Sequence, residues 1–434
     1  MKYYSTNGKA PIADLHKAVV KGLAEDRGLY MPEKINKLPK EFFDNIEKMS
    51  FQEIAYTVAS AFFGEDVDPD ALHDIVYDTL QFDCPVVNVK DNIYTLELFH
   101  GPTLAFKDVG ARFMARLLQY FIKQENNHKE VNVLVATSGD TGSAVANGFL
   151  GVDGIHVYVL YPKGKVSPIQ ECQFTTLGKN ITAIEVDGVF DDCQALVKNA
   201  FMDAELNDHM KLTSANSINV ARFLPQAFYY FNAYARMKEQ GKADNLVMCV
   251  PSGNFGNICA ALFGHEMGLP IKRFIAANNA NDIFYNYLQT GKYEPKPSKQ
   301  TLANAMDVGD PSNFARIYDL YDKSHAKIIS LISGATYSDE QIKATMRECY
   351  KDSSYILDPH GACGYQALKD GLQAGEVGVF CETAHPAKFK EKVDDILGID
   401  VEIPERLAAF MRGEKQSVAM TKAFADFKQY LLKQ

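Results

Sequence analysis

No stretch of this sequence is apolar for long enough to span a bilayer, and Met1 is followed at once by the polar Lys2, Tyr3, Tyr4 and Ser5 rather than by the apolar core of a secretion signal. The expected location is therefore the cytoplasm. The 8 cysteines include no C-x-x-C pair and no histidine stands at zinc-ligand spacing, which argues against a thioredoxin-type role and against a structural metal. The thiols read as reduced and buried. Basic charge is in deficit: 45 Lys and Arg face 55 Asp and Glu, a formal net charge of −10 that disfavours a phosphate backbone as partner. Neither nucleic acid nor membrane is expected as a partner. Polar low-complexity tracts and internal repeats are also lacking, and 434 residues at 47% hydrophobic are enough for a large core in two or three domains.

What is present reads as α/β. Residues 1–92 form a mainly helical N-terminal unit, with helical periodicity over 11–24 and 51–63 around the Pro-bounded segment 28–38. From there strand-like and helix-like segments alternate, and strands are expected over 131–136, 155–161, 181–186, 246–250 and 271–276. Each is short, apolar and followed by a helical pattern, as a buried parallel sheet requires. Beyond residue 282 the pattern is mainly helical with one further strand over 377–381, and 405–432 reads as amphipathic helix. The expected architecture is two doubly wound lobes with parallel-type sheets, 93–225 and 226–434, with a cleft between them.

Two strand-to-helix turns carry the chemistry. Pro251-Ser252-Gly253-Asn254-Phe255-Gly256-Asn257 follows one strand and opens the helical pattern 258–267. Its glycines leave no Cβ between backbone N–H groups and a ligand, and the helix start adds a positive dipole end, which suits a phosphate monoester. It lacks the lysine of a Walker A loop and is not G-x-G-x-x-G, so nucleotide and nicotinamide readings lose ground. Thr137-Ser138-Gly139-Asp140-Thr141-Gly142 has the same placement after 131–136 and suits a small carboxylate. Each turn alone is equally compatible with a tight connection or a helix cap.

Lys107, in His100-Gly101-Pro102-Thr103-Leu104-Ala105-Phe106-Lys107-Asp108, sits among apolar neighbours where a helical segment opens. Desolvation and helix amides both disfavour its ammonium form, and a neutral amine is what Schiff-base chemistry needs. A surface lysine with its stem packed on the helix is the plainer reading. Taken in order, Gly-Pro-Thr-x-x-Phe-Lys-Asp, Ser-Gly-Asp-Thr-Gly and Ser-Gly-Asn-Phe-Gly-Asn resemble the threonine synthases, a family of fold-type II (tryptophan-synthase-β-like) pyridoxal 5′-phosphate (PLP) enzymes. The likeness continues in Gly28-Leu29-Tyr30-Met31-Pro32, in Tyr161-Pro162-Lys163-Gly164-Lys165, in Asp358-Pro359-His360-Gly361 and in Glu382-Thr383-Ala384-His385-Pro386, and it favours the longer microbial and fungal type. The approach to Gly28 departs from that pattern in Asp26-Arg27.

The resemblance implies that Lys107 holds PLP as a Schiff base and then moves protons, that Gly253, Asn254, Phe255, Gly256 and Asn257 cradle the cofactor phosphate, and that Thr383 faces the pyridine nitrogen with a hydroxyl. It implies O-phospho-L-homoserine as substrate, converted with water to L-threonine and phosphate, the last step of threonine biosynthesis. Ser138 and Thr141 are the candidates for the substrate carboxylate. Ser214, Asn216, Ser217, Asn219 and Arg222 are the candidates for its phosphate, with Lys163 and Lys165 in reach. His385 reads as structural, no metal is expected, and the chain is expected to act as a monomer or homodimer. The rivals are a phospho-lyase or threonine/serine dehydratase on the same fold, which shares the lysine and the phosphate turn, and a non-catalytic homologue.

Overall fold

The computed structural model describes residues Met1–Gln434. The chain divides into two compact units, each of which collects distant segments. The first comprises Met1, Met31–Phe106 and Phe223–Glu402; the second comprises Lys2–Tyr30, Lys107–Arg222 and Ile403–Gln434.

The first unit is built on a six-stranded sheet in the order Ile332–Thr336, Arg273–Asn278, Leu246–Pro251, Val377–Glu382, Ile93–Glu97, Val86–Lys90. All neighbours run parallel except the last pair, Ile93–Glu97 and Val86–Lys90. Leu246–Pro251 is buried along its whole length, which is why it reads as an unbroken apolar run rather than an alternation. The helices of this unit carry their own start signals. Phe51–Phe63 is opened by a capping box between Ser50 and Glu53, and Asp339–Ser353 by one between Ser338 and Gln341.

The second unit has a five-stranded sheet in the order Val418–Thr421, Ile181–Asp187, Ile155–Pro162, Val131–Ala136, Lys211–Ser214, with every pair parallel. Behind it, Leu134, Tyr158, Ile184, Leu196 and Leu206 form an apolar cluster with Phe427 and Leu431 from the C-terminal helix Phe424–Leu432. In the N-terminal loop Asp26 accepts from the Ser5 hydroxyl (2.6 Å) and from the amides of Gly28, Lys9 and Ala10 (2.9 Å each). Burial opposes its ionisation, but these bonds hold the carboxyl at about 2. The departure at Asp26-Arg27 is thus an organising carboxylate.

Pro225 places a 3-10 turn at Leu224–Gln226 between the helices Val220–Phe223 and Ala227–Glu239. The structure corrects two expected elements. The amphipathic run 405–432 is two helices, Glu405–Met411 and Phe424–Leu432, separated by the strand Val418–Thr421. Beyond residue 282 a second strand, Ile332–Thr336, joins Val377–Glu382 in the sheet. No helix is long and apolar enough to cross a membrane.

Candidate active site

In the first unit the chain leaves Leu246–Pro251, steps outward through Arg273–Asn278 to Ile332–Thr336, and then returns to the other side of Leu246–Pro251 as Val377–Glu382. Where strand order reverses in this way, the loops beyond the two carboxyl ends diverge and leave a crevice. Those loops begin with Ser252-Gly253 and with Thr383.

Phe255 adopts the left-handed conformation (φ 66°) and stands before the helix Gly256–Glu266 without any side-chain cap. The first amides of a helix have no acceptor within it. The Ile258 amide is met by Asn257 Oδ1 (2.9 Å), whereas Phe255 at the N-cap offers no side-chain acceptor to those of Gly256 and Asn257. The polar side chains hold the turn from behind. Asn257 Nδ2 donates to the Pro251 carbonyl (2.8 Å), its Oδ1 accepts from the Ser252 hydroxyl (3.0 Å), and Asn254 Oδ1 accepts from the Ser312 amide (2.7 Å). Gly253 is pressed against the turn Asn304–Met306, where a Cβ would come within 2.5 Å of the Ala305 carbonyl oxygen. Open amides at a helix start, with no Cβ in the way, fit a phosphate monoester.

Thr383 is largely buried, and its carbonyl accepts from the Phe106 amide (2.8 Å). The pairing continues as a bridge between Ala105 and Ala384 and as a bond from the His385 amide to the Leu104 carbonyl (3.0 Å). Fully buried Lys388 donates to the Thr103 carbonyl (2.9 Å). The segment 103–106 is therefore stitched to 383–388, and the next residue in the chain is Lys107. His385 Nδ1 accepts from the Ala387 amide (3.0 Å) and so caps the turn Pro386–Phe389.

In the second unit Lys107 is half-buried and opens the helix Lys107–Gln124. Helix Asp140–Phe149 packs closely on it, since a Cβ on Gly148 would lie 3.0 Å from the Ala111 backbone. This sheet also reverses its order. From Val131–Ala136 the chain steps through Ile155–Pro162 to Ile181–Asp187 and returns to the opposite side as Lys211–Ser214. The two candidate substrate segments, 137–142 and 214–222, thus follow neighbouring strand ends.

Thr137 Oγ1 accepts from the amides of Gly139 (2.9 Å) and Gly142 (2.8 Å), and Gln170 Nε2 donates to Asp140 Oδ1 (3.0 Å). Gly139 has φ 146° and lies directly over the Gln170 side chain, so it tolerates no Cβ. Ser138 and Thr141 are half-buried, and their hydroxyls take no part in holding the turn. In the second segment Ser214 Oγ accepts from the Asn216 amide (3.2 Å). Asn219 is fully buried: Nδ2 donates to the Val19 (2.9 Å) and Ser214 (3.2 Å) carbonyls, and Oδ1 accepts from the Ala221 amide (3.0 Å). Its side chain is committed to the fold. Buried Arg222 donates to the Ala215 carbonyl and packs against Gly110, three residues beyond Lys107. Lys163 and Lys165 are exposed.

Sequence reasoning did not single out the buried acid pair beside Thr383. Burial pushes the Glu382 carboxyl well above its ordinary range, and the neighbouring Asp358 carboxylate adds to this. Burial also opposes ionisation of Asp358, but hydrogen bonds from Glu382, His360 and Gly361 hold it below its ordinary value. The only hint in the sequence is Gly361, which must be glycine because a Cβ would strike the Glu382 carboxyl at 2.2 Å.

Comparison with known proteins identifies relatives of the whole chain. The family model described as pyridoxal-phosphate dependent enzyme matches residues 82–381, and those for the threonine synthase N terminus and C-terminal region match residues 2–80 and 361–431. The chain is 44% identical to threonine synthase of Haemophilus influenzae over 100% of both chains. The crystal structure of threonine synthase from Escherichia coli has a TM-score of 0.93 at 42% identity and 100% coverage of both chains. PLP-bound threonine synthase from Brucella melitensis has a TM-score of 0.93 at 34% identity, covering 100% of this chain and 99% of that one. The chain belongs to the threonine synthase family of pyridoxal-phosphate-dependent enzymes.

Proposed function

We propose that this chain converts O-phospho-L-homoserine and water to L-threonine and inorganic phosphate. The observation that carries the reading is the switch point of the first unit, where the open amides of 253–257 and Thr383 follow adjacent strands and Phe106, bonded to Thr383, leads directly into Lys107. PLP, when bound, supplies the electron withdrawal that makes the substrate's carbon-bound protons acidic.

The residues then divide the work. Lys107 anchors the cofactor, takes the Cα proton and then a Cβ proton of substrate, and returns protons after phosphate has left Cγ and water has added at Cβ. Gly253, Asn254, Phe255, Gly256 and Asn257 hold the cofactor phosphate through backbone donors. Thr383 offers the ring nitrogen a neutral hydroxyl. Ser138 and Thr141 orient the substrate carboxylate. Ser214, Asn216, Ser217 and Arg222 receive its phosphate, with Arg222 as the charged member, while Asn219 shapes their loop.

The test is incubation of the PLP-loaded protein with phosphohomoserine, assaying products together. Threonine and phosphate should appear in equal amounts. Accumulation of 2-oxobutyrate as the main product would sink the reading in favour of a lyase.

A further inference from the structure

The segment Asp358-Pro359-His360-Gly361, at the start of helix Pro359–Gly371, reaches two sides of the first unit's crevice. On one side Gly361 lies against Glu382, which directly precedes Thr383. On the other, His360 Nε2 accepts from the Ala305 amide (3.1 Å), and Ala305 is the residue pressed against Gly253. A backbone N–H can only donate, so Nε2 carries no proton. The ring proton is on Nδ1, which donates to Asp358 Oδ2 at 2.5 Å. His360 is 2% exposed and Asp358 0%, so water does not stand in for either bond.

We propose that neutral His360 is a positioning residue for the phosphate turn. By tying down the turn Asn304–Met306 it keeps Gly253 seated and the amides of 253–257 aimed at the cofactor phosphate. The inference rests on the reading of 253–257 as the phosphate cradle. The ionisable groups facing the ring are Asp358 at its own helix start, Glu382 at the end of Val377–Glu382, and Asp307 just after Asn304–Met306. From the turn Pro386–Phe389 it meets the uncharged ring of Phe389 (centroids 5.2 Å apart).

The experiment follows PLP affinity of the full-length holoenzyme by equilibrium dialysis at a fixed, neutral pH. His360→Phe, which fills the space without an acceptor, should bind PLP roughly tenfold or more weakly than wild type, the factor a lost buried hydrogen bond is worth. His360→Gln, whose amide oxygen can accept from Ala305, should regain wild-type affinity. Pyridoxal, which lacks the phosphate, should bind all three alike.

Wild-type PLP affinity in His360→Phe would overturn the proposal, as would equal weakening of pyridoxal and PLP. If His360→Phe does not fold, His360→Leu, which also lacks an acceptor, decides: wild-type affinity in that variant overturns it. A crystal structure of the holoenzyme separates the two levels. Phosphate found away from 253–257 removes the underlying reading, whereas phosphate on that turn with an unaffected His360→Phe removes only the inference.

Discussion

Each unit places a glycine-bearing turn between a fully buried parallel strand and a helix, and neither helix is capped by its N-cap side chain, yet the two turns spend their polar side chains differently. After Val131–Ala136 the Thr137 hydroxyl takes the amides of Gly139 and Gly142, and the hydroxyls of Ser138 and Thr141 hold nothing in the turn. After Leu246–Pro251 Asn257 takes the Ile258 amide, and Asn254 and Asn257 grip the turn from the rear. On this difference rest the two anion sites proposed above. Open amides at a helix end suit the doubly charged phosphate, and hydroxyls suit a singly charged carboxylate.

The most severe way to test the division is to remove the lysine that both sites are proposed to serve. Lys107→Ala should lower phosphate release from phosphohomoserine by about 10³-fold, as loss of a proton-transferring group does. The visible absorbance of the Schiff base should vanish with it, while PLP still binds through the amides of 253–257. Retained turnover would remove Lys107 from the chemistry.

Matched substitutions then probe the turns one against the other. Gly253→Val forces a side chain onto the Ala305 carbonyl, an overpacking of roughly 1–3 kcal/mol, and should weaken PLP binding about tenfold or more. Thr137→Val removes the acceptor of two amides at a cost of about 1–3 kcal/mol and should raise KM for phosphohomoserine with PLP affinity unchanged. If each variant showed the other's effect, the assignment of the two turns would be reversed.

The smallest expected effect is in the pH response of the first unit. Because the Glu382 pKa is raised in the folded state, its stabilisation is complete below the ordinary carboxylate range and is lost as pH rises through the raised value. Glu382→Gln, shaped like the protonated acid, should cost under about 1 kcal/mol at neutral pH. It should also flatten the fall in urea midpoint as pH rises above the ordinary carboxylate range. An unaltered slope there would show that Glu382 is not the group that titrates.

The strands legible in the sequence are the ones whose environment leaves a local trace. Val131–Ala136 was readable to the residue because a strand buried on both faces is apolar throughout. Ile332–Thr336, at a sheet edge, carries Ser333, Gly334 and Thr336 and has no such signature. Val418–Thr421 is half exposed, and its flanking helices made the whole stretch look like one amphipathic run. The site shows the same divide. The lysine and both turns stand out because their residues are contiguous, and their motifs carry the family likeness. The commitment of Asn219 to the Val19 carbonyl joins residues two hundred positions apart, and the bond from Ala305 to His360 links turns that no spacing rule connects.

The strand Val418–Thr421 closes one edge of the second sheet, and Phe427 and Leu431 complete the apolar cluster behind it. They lie far downstream in sequence of the strand they cover. Until that stretch is made, Ile181–Asp187 offers an unpaired edge and the cluster lacks two of its large side chains, so a growing chain is exposed to self-association for as long as the stretch is missing.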